Sequence, residues 1–361
     1  MMPGGMHGQR SRKNALARNS SDLASPLLYA NLCANVNDGG RDVSEDIGNV
    51  NFVISLGGYK DEETAKEVGN AVSQFIKILC KYIDLTSLVG ISINYDYQYA
   101  LDSVDRGIET SNTLTPSDGD VVGVAMVVRV MRDGEPRCHI VFNALHIEGV
   151  VSPVNSPEWL TAIGIISHEC AHVSNSNALN KCFPGRMMSY RYKDIHEQLR
   201  GECWLSVMEE YCATRLSTQI GEDQGKMFKT SFFRQASKLY DKARDSIFNY
   251  QFHQSVDKTL NEVYSEIELT LKLAAYFLGD AAAKGINYKD GNEDDMSEFS
   301  WLIPYIERLN SANATIFENY GRWKSINEFE VISDILDDIA KYLGVTVSLH
   351  PQGVWVDISY F

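Results

Sequence analysis

The segment His168-Glu169-Cys170-Ala171-His172 sets two imidazoles four residues apart, with a carboxylate beside the first. On a helix, positions i and i+4 share one face, so both rings can reach a single cation. Glu169 stands about 100° around that helix from His168, where it reaches a water beside the cation rather than the cation itself. Two neutral ring nitrogens plus one carboxylate suit Zn2+ and leave a fourth position open for water. The chemistry of such a set is hydrolysis. The metal polarises a carbonyl, and the carboxylate takes a proton from water and passes it to the leaving amine. His168 and His172 are therefore expected zinc ligands and Glu169 the expected general base. The bland alternative is a pair of core-lining histidines. Ile163, Ile166 and Ala171, placed for packing on the same helix, favour the metal reading.

A third ligand is required, and the stretch from Gly201 to Ser217 offers Glu202, Glu209 and Glu210 on a helical pattern. A wheel separates the three. Leu205, Met208, Cys212 and Leu216 form the apolar face, flanked by Glu202 and Glu209. Glu210 sits at the centre of a stripe of small residues, Ser206, Ala213 and Ser217. Small side chains let two helices approach closely, as a carboxylate needs if it is to reach a metal held by a neighbouring helix. Glu210 is the expected third ligand, with Glu209 as the runner-up.

His168-Glu-x-x-His172 followed by Glu210-Tyr-Cys-Ala213-Thr-Arg215 resembles the gluzincin pattern of HExxH followed by ExxA or ExxD, over roughly residues 52–219. The resemblance is closest to poorly characterised bacterial HExxH proteins, with a weaker likeness to ImmA/IrrE-type peptidases. It implies a zinc peptidase in which the two histidines and the distant glutamate hold the ion and the motif glutamate is the base. It also implies an edge strand beside the active-site helix that binds extended substrate by backbone pairing, here residues 122–131 or 138–143. Thr214 departs from the pattern, since many gluzincins carry Asp or Asn there, a residue that often orients a ligand histidine. The metzincin third histidine is absent. The resemblance admits a second reading, a regulatory zinc protease or zinc-site binding protein dedicated to one partner protein rather than a general peptidase.

Other chemistry-bearing residues are less specific. Tyr190, Tyr192, His196 and Tyr211 are candidate donors to the tetrahedral oxyanion, a role zincins often give to Tyr or His. Arg215 pairs either with a carboxylate near the site or with a surface acid. His139 and His146 read as strand or loop residues, and Cys170 as a packing thiol. The acidic run at 290–295 lacks the Gly and the Glu of a calcium loop and reads as a solvated loop. No Walker A, GxGxxG or GxSxG motif is present.

The elements that must position the motif are legible around it. Ser156-Pro157-Glu158 opens its helix with an N-cap and a proline at the first helical position. Upstream, Asp61-Glu-Glu-Thr starts a helix with an apolar stripe at Val68, Val72, Phe75, Leu79 and Ile83. Val89, Ile91, Ile93 and Tyr95 alternate as a half-buried strand, and a short helix is expected over 96–105. Val122, Val124, Met126, Val128 and Val130 alternate toward an Asp133-Gly134 turn, with residues 138–143 returning. Downstream, helical stripes run over 198–219, 227–248, 256–284, 297–311 and 325–343, and a second hairpin pairs residues 345–349 with 354–358. The expected class is α+β: a zincin-like small sheet with the active-site helix, plus a larger, mostly helical lobe. The expected divisions are a loosely ordered segment 1–50, an α/β lobe 51–197, and a helical lobe 198–361 that supplies the third ligand and closes the cleft. Residues 174–199 are the expected specificity loop.

Composition narrows the partners. The 361 residues suit one large or two modest domains at about 150 residues each. With 33 Lys+Arg against 48 Asp+Glu, the net charge is −15. That balance argues against nucleic acid, whose phosphates need a concentrated positive surface. No apolar run is long enough to span a membrane. The opening residues hold Arg10, Arg12, Lys13 and Arg18 without the apolar core of a secretory signal. Seven cysteines without a CxxC pair suit a reducing compartment. The expected setting is cytoplasmic and the expected partner a peptide or protein substrate.

Overall fold

The computed structural model describes residues 50–110, 113–116 and 123–359. The expected loose segment 1–50, Val50 apart, lies outside the described residues, as does Val122 at the start of the first hairpin. Four strands, β1 (Val53–Gly57), β2 (Leu88–Asn94), β3 (Ala125–Arg132) and β4 (Glu135–Asn143), form one sheet in the order β1-β2-β4-β3. β1, β2 and β4 run parallel, and β3 returns antiparallel beside β4. The hairpin follows from its turn: Asp133 and Gly134 both adopt positive φ, 52° and 78°, the twist that joins right-handed strands in two residues. β1 was not legible, because Val-Ile-Ser-Leu-Gly is short and shows no clean burial alternation.

Helix α1 (Glu62–Leu79) is capped by Asp61, whose carboxylate accepts from the Thr64 amide at 2.8 Å. It buries Val68, Val72, Phe75 and Leu79 as expected; Ile83 falls beyond its end. The motif helix α2 (Pro157–Cys182) starts where the sequence places it, with Ser156 accepting from the Trp159 amide. It is longer than expected. Residues 174–182 are its last turns, not a loop, and the true connection to α3 (Ile195–Ser217) spans only 183–194 and contains a single helical turn at Arg186–Ser189. The expected division at 197 thus falls within the first turn of α3.

Four long helices follow: α4 (Gly225–His253), α5 (Val256–Lys284), α6 (Ile303–Glu318) and α7 (Glu330–Leu343). The antiparallel hairpin β5 (Val345–His350) and β6 (Gly353–Ile358) ends the described chain. The architecture is α+β. The two largest apolar cores are built by different parts of the chain, and α2 belongs to both. Trp159, Ile163, Ile166 and Cys170 pack with Val72, Ile91, Ile140 and Phe142 from α1 and the sheet. Ala171, Ala178 and Leu179 pack with Met208, Leu271 and Phe329 of the helical side. A helix apolar on two faces is the natural wall between two cores. Its remaining positions are the ones free to carry polar chemistry. Among the described residues no helix is long and apolar enough to cross a membrane.

Candidate metal centre

α2 holds His168 and His172 one turn apart, and α3 brings Glu210 to them. His168 Nε2 lies 3.1 Å from His172 Nε2, and Glu210 Oε2 lies 3.3 Å from each. A tetrahedral zinc with bonds of about 2.0–2.1 Å separates adjacent ligand atoms by about 3.3–3.4 Å. The observed triangle has that size. These three side chains are a group that can hold a metal ion. Glu210 Oε2 is buried and accepts no hydrogen bond from the protein, so its lone pairs are directed at the space the two nitrogens share.

The tautomers fit the same purpose. Ser217 Oγ donates its one proton to the Ala213 carbonyl at 2.8 Å, so toward His168 Nδ1 at 3.4 Å it acts as acceptor. A proton on His168 Nδ1 would be donated to that oxygen and would leave the Nε2 lone pair facing Glu210. Ser217, rather than Thr214, is the hydroxyl that stands beside this ring. Thr214 is buried beside the same cleft, with an unpartnered hydroxyl.

Charge converges on the triangle. Burial pulls the His172 pKa down, but Glu210 outweighs it and raises the ring to about 9, so the position favours a positive charge. Burial would raise the Glu210 carboxyl, yet Lys272 and the two imidazoles hold it well below the usual carboxylate range. Glu169 is buried and its pKa is pushed up, chiefly by desolvation. A raised carboxyl facing a cleft is what a proton acceptor and donor of a hydrolytic site needs.

α5 supplies groups that the sequence reading left unassigned. Lys272 Nζ lies 3.1 Å from Glu210 Oε1. Tyr276, one turn on, stacks on His168 with ring centroids 5.8 Å apart, and its phenol reaches the Glu210 carboxylate. Neither belongs to a motif. The only signal was their i, i+4 spacing within the apolar stretch 271–279 of the helix. The close approach of α5 to α3 rests on Gly279, where a Cβ would stand 2.8 Å from the Tyr211 carbonyl oxygen.

The triangle opens into a cleft of about 780 Å3, walled by Gly123–Val127 and Arg129 on one side and by Met227, Phe228, Leu269 and Leu273 on another. Glu169 lines it with both histidines. Glu209, the runner-up ligand, lies on the cleft wall but is ion-paired to Arg129 of β3, which ties α3 to the sheet edge. Glu202 is exposed and accepts from Gln198.

None of the four candidate oxyanion donors lines the cleft. Tyr190 donates to Glu197, Tyr192 packs on Gly201, His196 contacts Asp337, and Tyr211 is buried beside Arg215. Tyr276 is the phenol that does line it. Arg215 lies over the Phe317 ring at 4.1 Å, away from the triangle. His139 contacts Ser92 on β2 at 2.9 Å, and Cys170 is a buried thiol whose pKa is raised by desolvation. Compared with family models, curated proteins and solved structures, the chain matches none.

Proposed function

We propose that the protein is a zinc-dependent peptidase of the gluzincin kind, with His168, His172 and Glu210 as ligands and Glu169 as general base. The observation that carries this reading is the ligand triangle. Three donor atoms from two helices stand at the separations of a tetrahedral site, and one of them is a buried oxygen with no hydrogen-bond partner. When bound, the ion supplies a Lewis acid that polarises the scissile carbonyl and acidifies the attacking water. Glu169 accepts that water's proton and delivers it to the leaving amine; its raised pKa lets it hold the proton between the two transfers.

Peptide is the favoured substrate because of the cleft wall. β3 is one of the two edge strands of the sheet among the described residues, runs antiparallel to β4, and lines the same cleft as Glu169. An edge strand presents unpaired backbone groups to which an extended chain adds as a further strand. An edge strand beside the motif helix, with the third ligand arriving from the next long helix, supports the zincin-like reading of the fold. The test is Glu169→Gln. Zinc content is expected to stay at about one per chain, because this residue is not a ligand, while cleavage of a peptide library falls by about 100-fold or more. Wild-type protein that holds no zinc, or a variant that cleaves as fast as wild type, refutes the reading.

A further inference from the structure

Glu210 presents its two oxygens to different partners. Oε2 faces both imidazole nitrogens at 3.3 Å, and Oε1 meets the Lys272 ammonium at 3.1 Å. We infer that Lys272 is a positioning residue for the third ligand: by holding Oε1 it commits Glu210 to offering one oxygen to the cation. This rests on the metal reading above and adds to it. A free carboxylate approaches a cation with one oxygen or with both, and a second oxygen would fill the position that a catalytic site leaves open. Lys272 suits the task because its nearest charges keep it on Glu210. Among the described residues, Glu210 is the carboxylate that stands within ion-pair distance of its ammonium. Arg129 engages Glu209, so that neighbouring carboxylate does not draw the ammonium off Oε1. The ammonium also anchors α5 to α3 one turn from the stacked pair of Tyr276 and His168. The helix without a motif thus sets the aim of the ligand on its neighbour.

The experiment needs no substrate. Wild type, Lys272→Met and Lys272→Arg are loaded with zinc alone for chelator competition and with cobalt(II) alone for visible spectra. Lys272→Met, which keeps the apolar stem and loses the ammonium, is expected to bind zinc about 10–100-fold more weakly, the range for loss of an outer partner of a ligand. Its cobalt spectrum is expected to weaken as the freed carboxylate brings in its second oxygen. Lys272→Arg is expected to recover most of the affinity and the wild-type spectrum. Thermal melting of the metal-free proteins controls for folding, and Lys272→Gln is the replacement if the Met variant melts early. A Met variant with wild-type affinity and spectrum overturns the inference while leaving the metal site standing. So does tighter zinc binding, which would mean that the ammonium only repels the cation. If wild type binds neither ion, the metal reading itself fails.

Discussion

Helices α2 and α5 both direct polar side chains toward Glu210, and both use i, i+4 spacing to do it. α2 offers His168 and His172; α5 offers Lys272 and Tyr276. On α2 the pair is announced by its residue types, since two imidazoles flanking a glutamate have few uses on a helix other than metal. On α5 the pair is lost among Leu271, Leu273, Ala274, Ala275 and Phe277, because lysine and tyrosine are ordinary helix residues. The difference separates two kinds of function. Binding a cation needs rare side chains, so it leaves a mark in sequence. Aiming a ligand needs only a charge at the right height, which becomes visible once three helices are packed.

The strongest way to break this comparison is to remove ligands one at a time. His168→Ala and Glu210→Ala are each expected to lower zinc affinity by more than about 100-fold, beyond what loss of an outer partner costs. Glu209→Ala, one residue away, is expected to leave zinc content unchanged, because Glu209 is engaged by Arg129 rather than by the triangle. Elemental analysis after dialysis reads both. Zinc lost from Glu209→Ala and kept by Glu210→Ala would reverse the assignment of the third ligand.

A smaller effect tests the packing that lets α5 reach the site. Gly279→Val places side-chain carbon against the Tyr211 carbonyl and Thr214, and overpacking of this kind costs about 1–3 kcal/mol. Urea unfolding reads the loss. Zinc affinity is expected to fall with it, since pushing α5 from α3 draws Lys272 off Glu210. A Val variant with unchanged stability would mean that the helices part there without cost.

How much was legible in the sequence follows from the same distinction. The α+β class, the Asp133-Gly134 hairpin, the start of α2 and the placement of Glu210 rather than Glu209 beside the two histidines all came from local rules: alternation, capping, turn chemistry and a helical wheel. Those rules act within a few residues. What they missed depends on long-range packing. β1 needs β2 beside it to be a strand, and the last turns of α2 need the helical core to bury Ala178 and Leu179. The oxyanion candidates Tyr190, Tyr192, His196 and Tyr211 carry the right residue types but lie outside the cleft, whereas the aromatic group at the site comes from α5, about 100 residues beyond the motif.

The smallest expected effect lies on the far end of α3, where polar groups hold structure alone. Asp337 of α7 accepts from His196 at 2.8 Å and from Tyr264 at 2.7 Å, and is ion-paired to Arg200, which also binds Glu330 and Asp334. Three helices, α3, α5 and α7, meet through this one carboxylate. Burial alone would raise the Asp337 pKa, but the bond from His196, the bond from Tyr264 and the charge of Arg200 outweigh it and hold the group below the ordinary carboxylate range. A carboxyl depressed in the folded state stabilises that state above its unfolded pKa of about 4, and the contribution is lost as pH falls through the folded value. Asp337→Asn keeps an acceptor but removes the charge, and with the side chain partly open to solvent it is expected to cost about 1 kcal/mol at pH 7. Between pH 7 and pH 5 the gap between wild type and variant should persist, because the carboxylate stays ionised throughout. Below about pH 4 it should close, because wild type loses by protonation what the variant has already lost. Paired urea titrations at pH 7, 5 and 3 give the three gaps. An offset that persists undiminished at pH 3 would assign the effect to shape rather than charge, and zinc affinity is expected to be the same in both proteins, since no group of this cluster reaches the triangle.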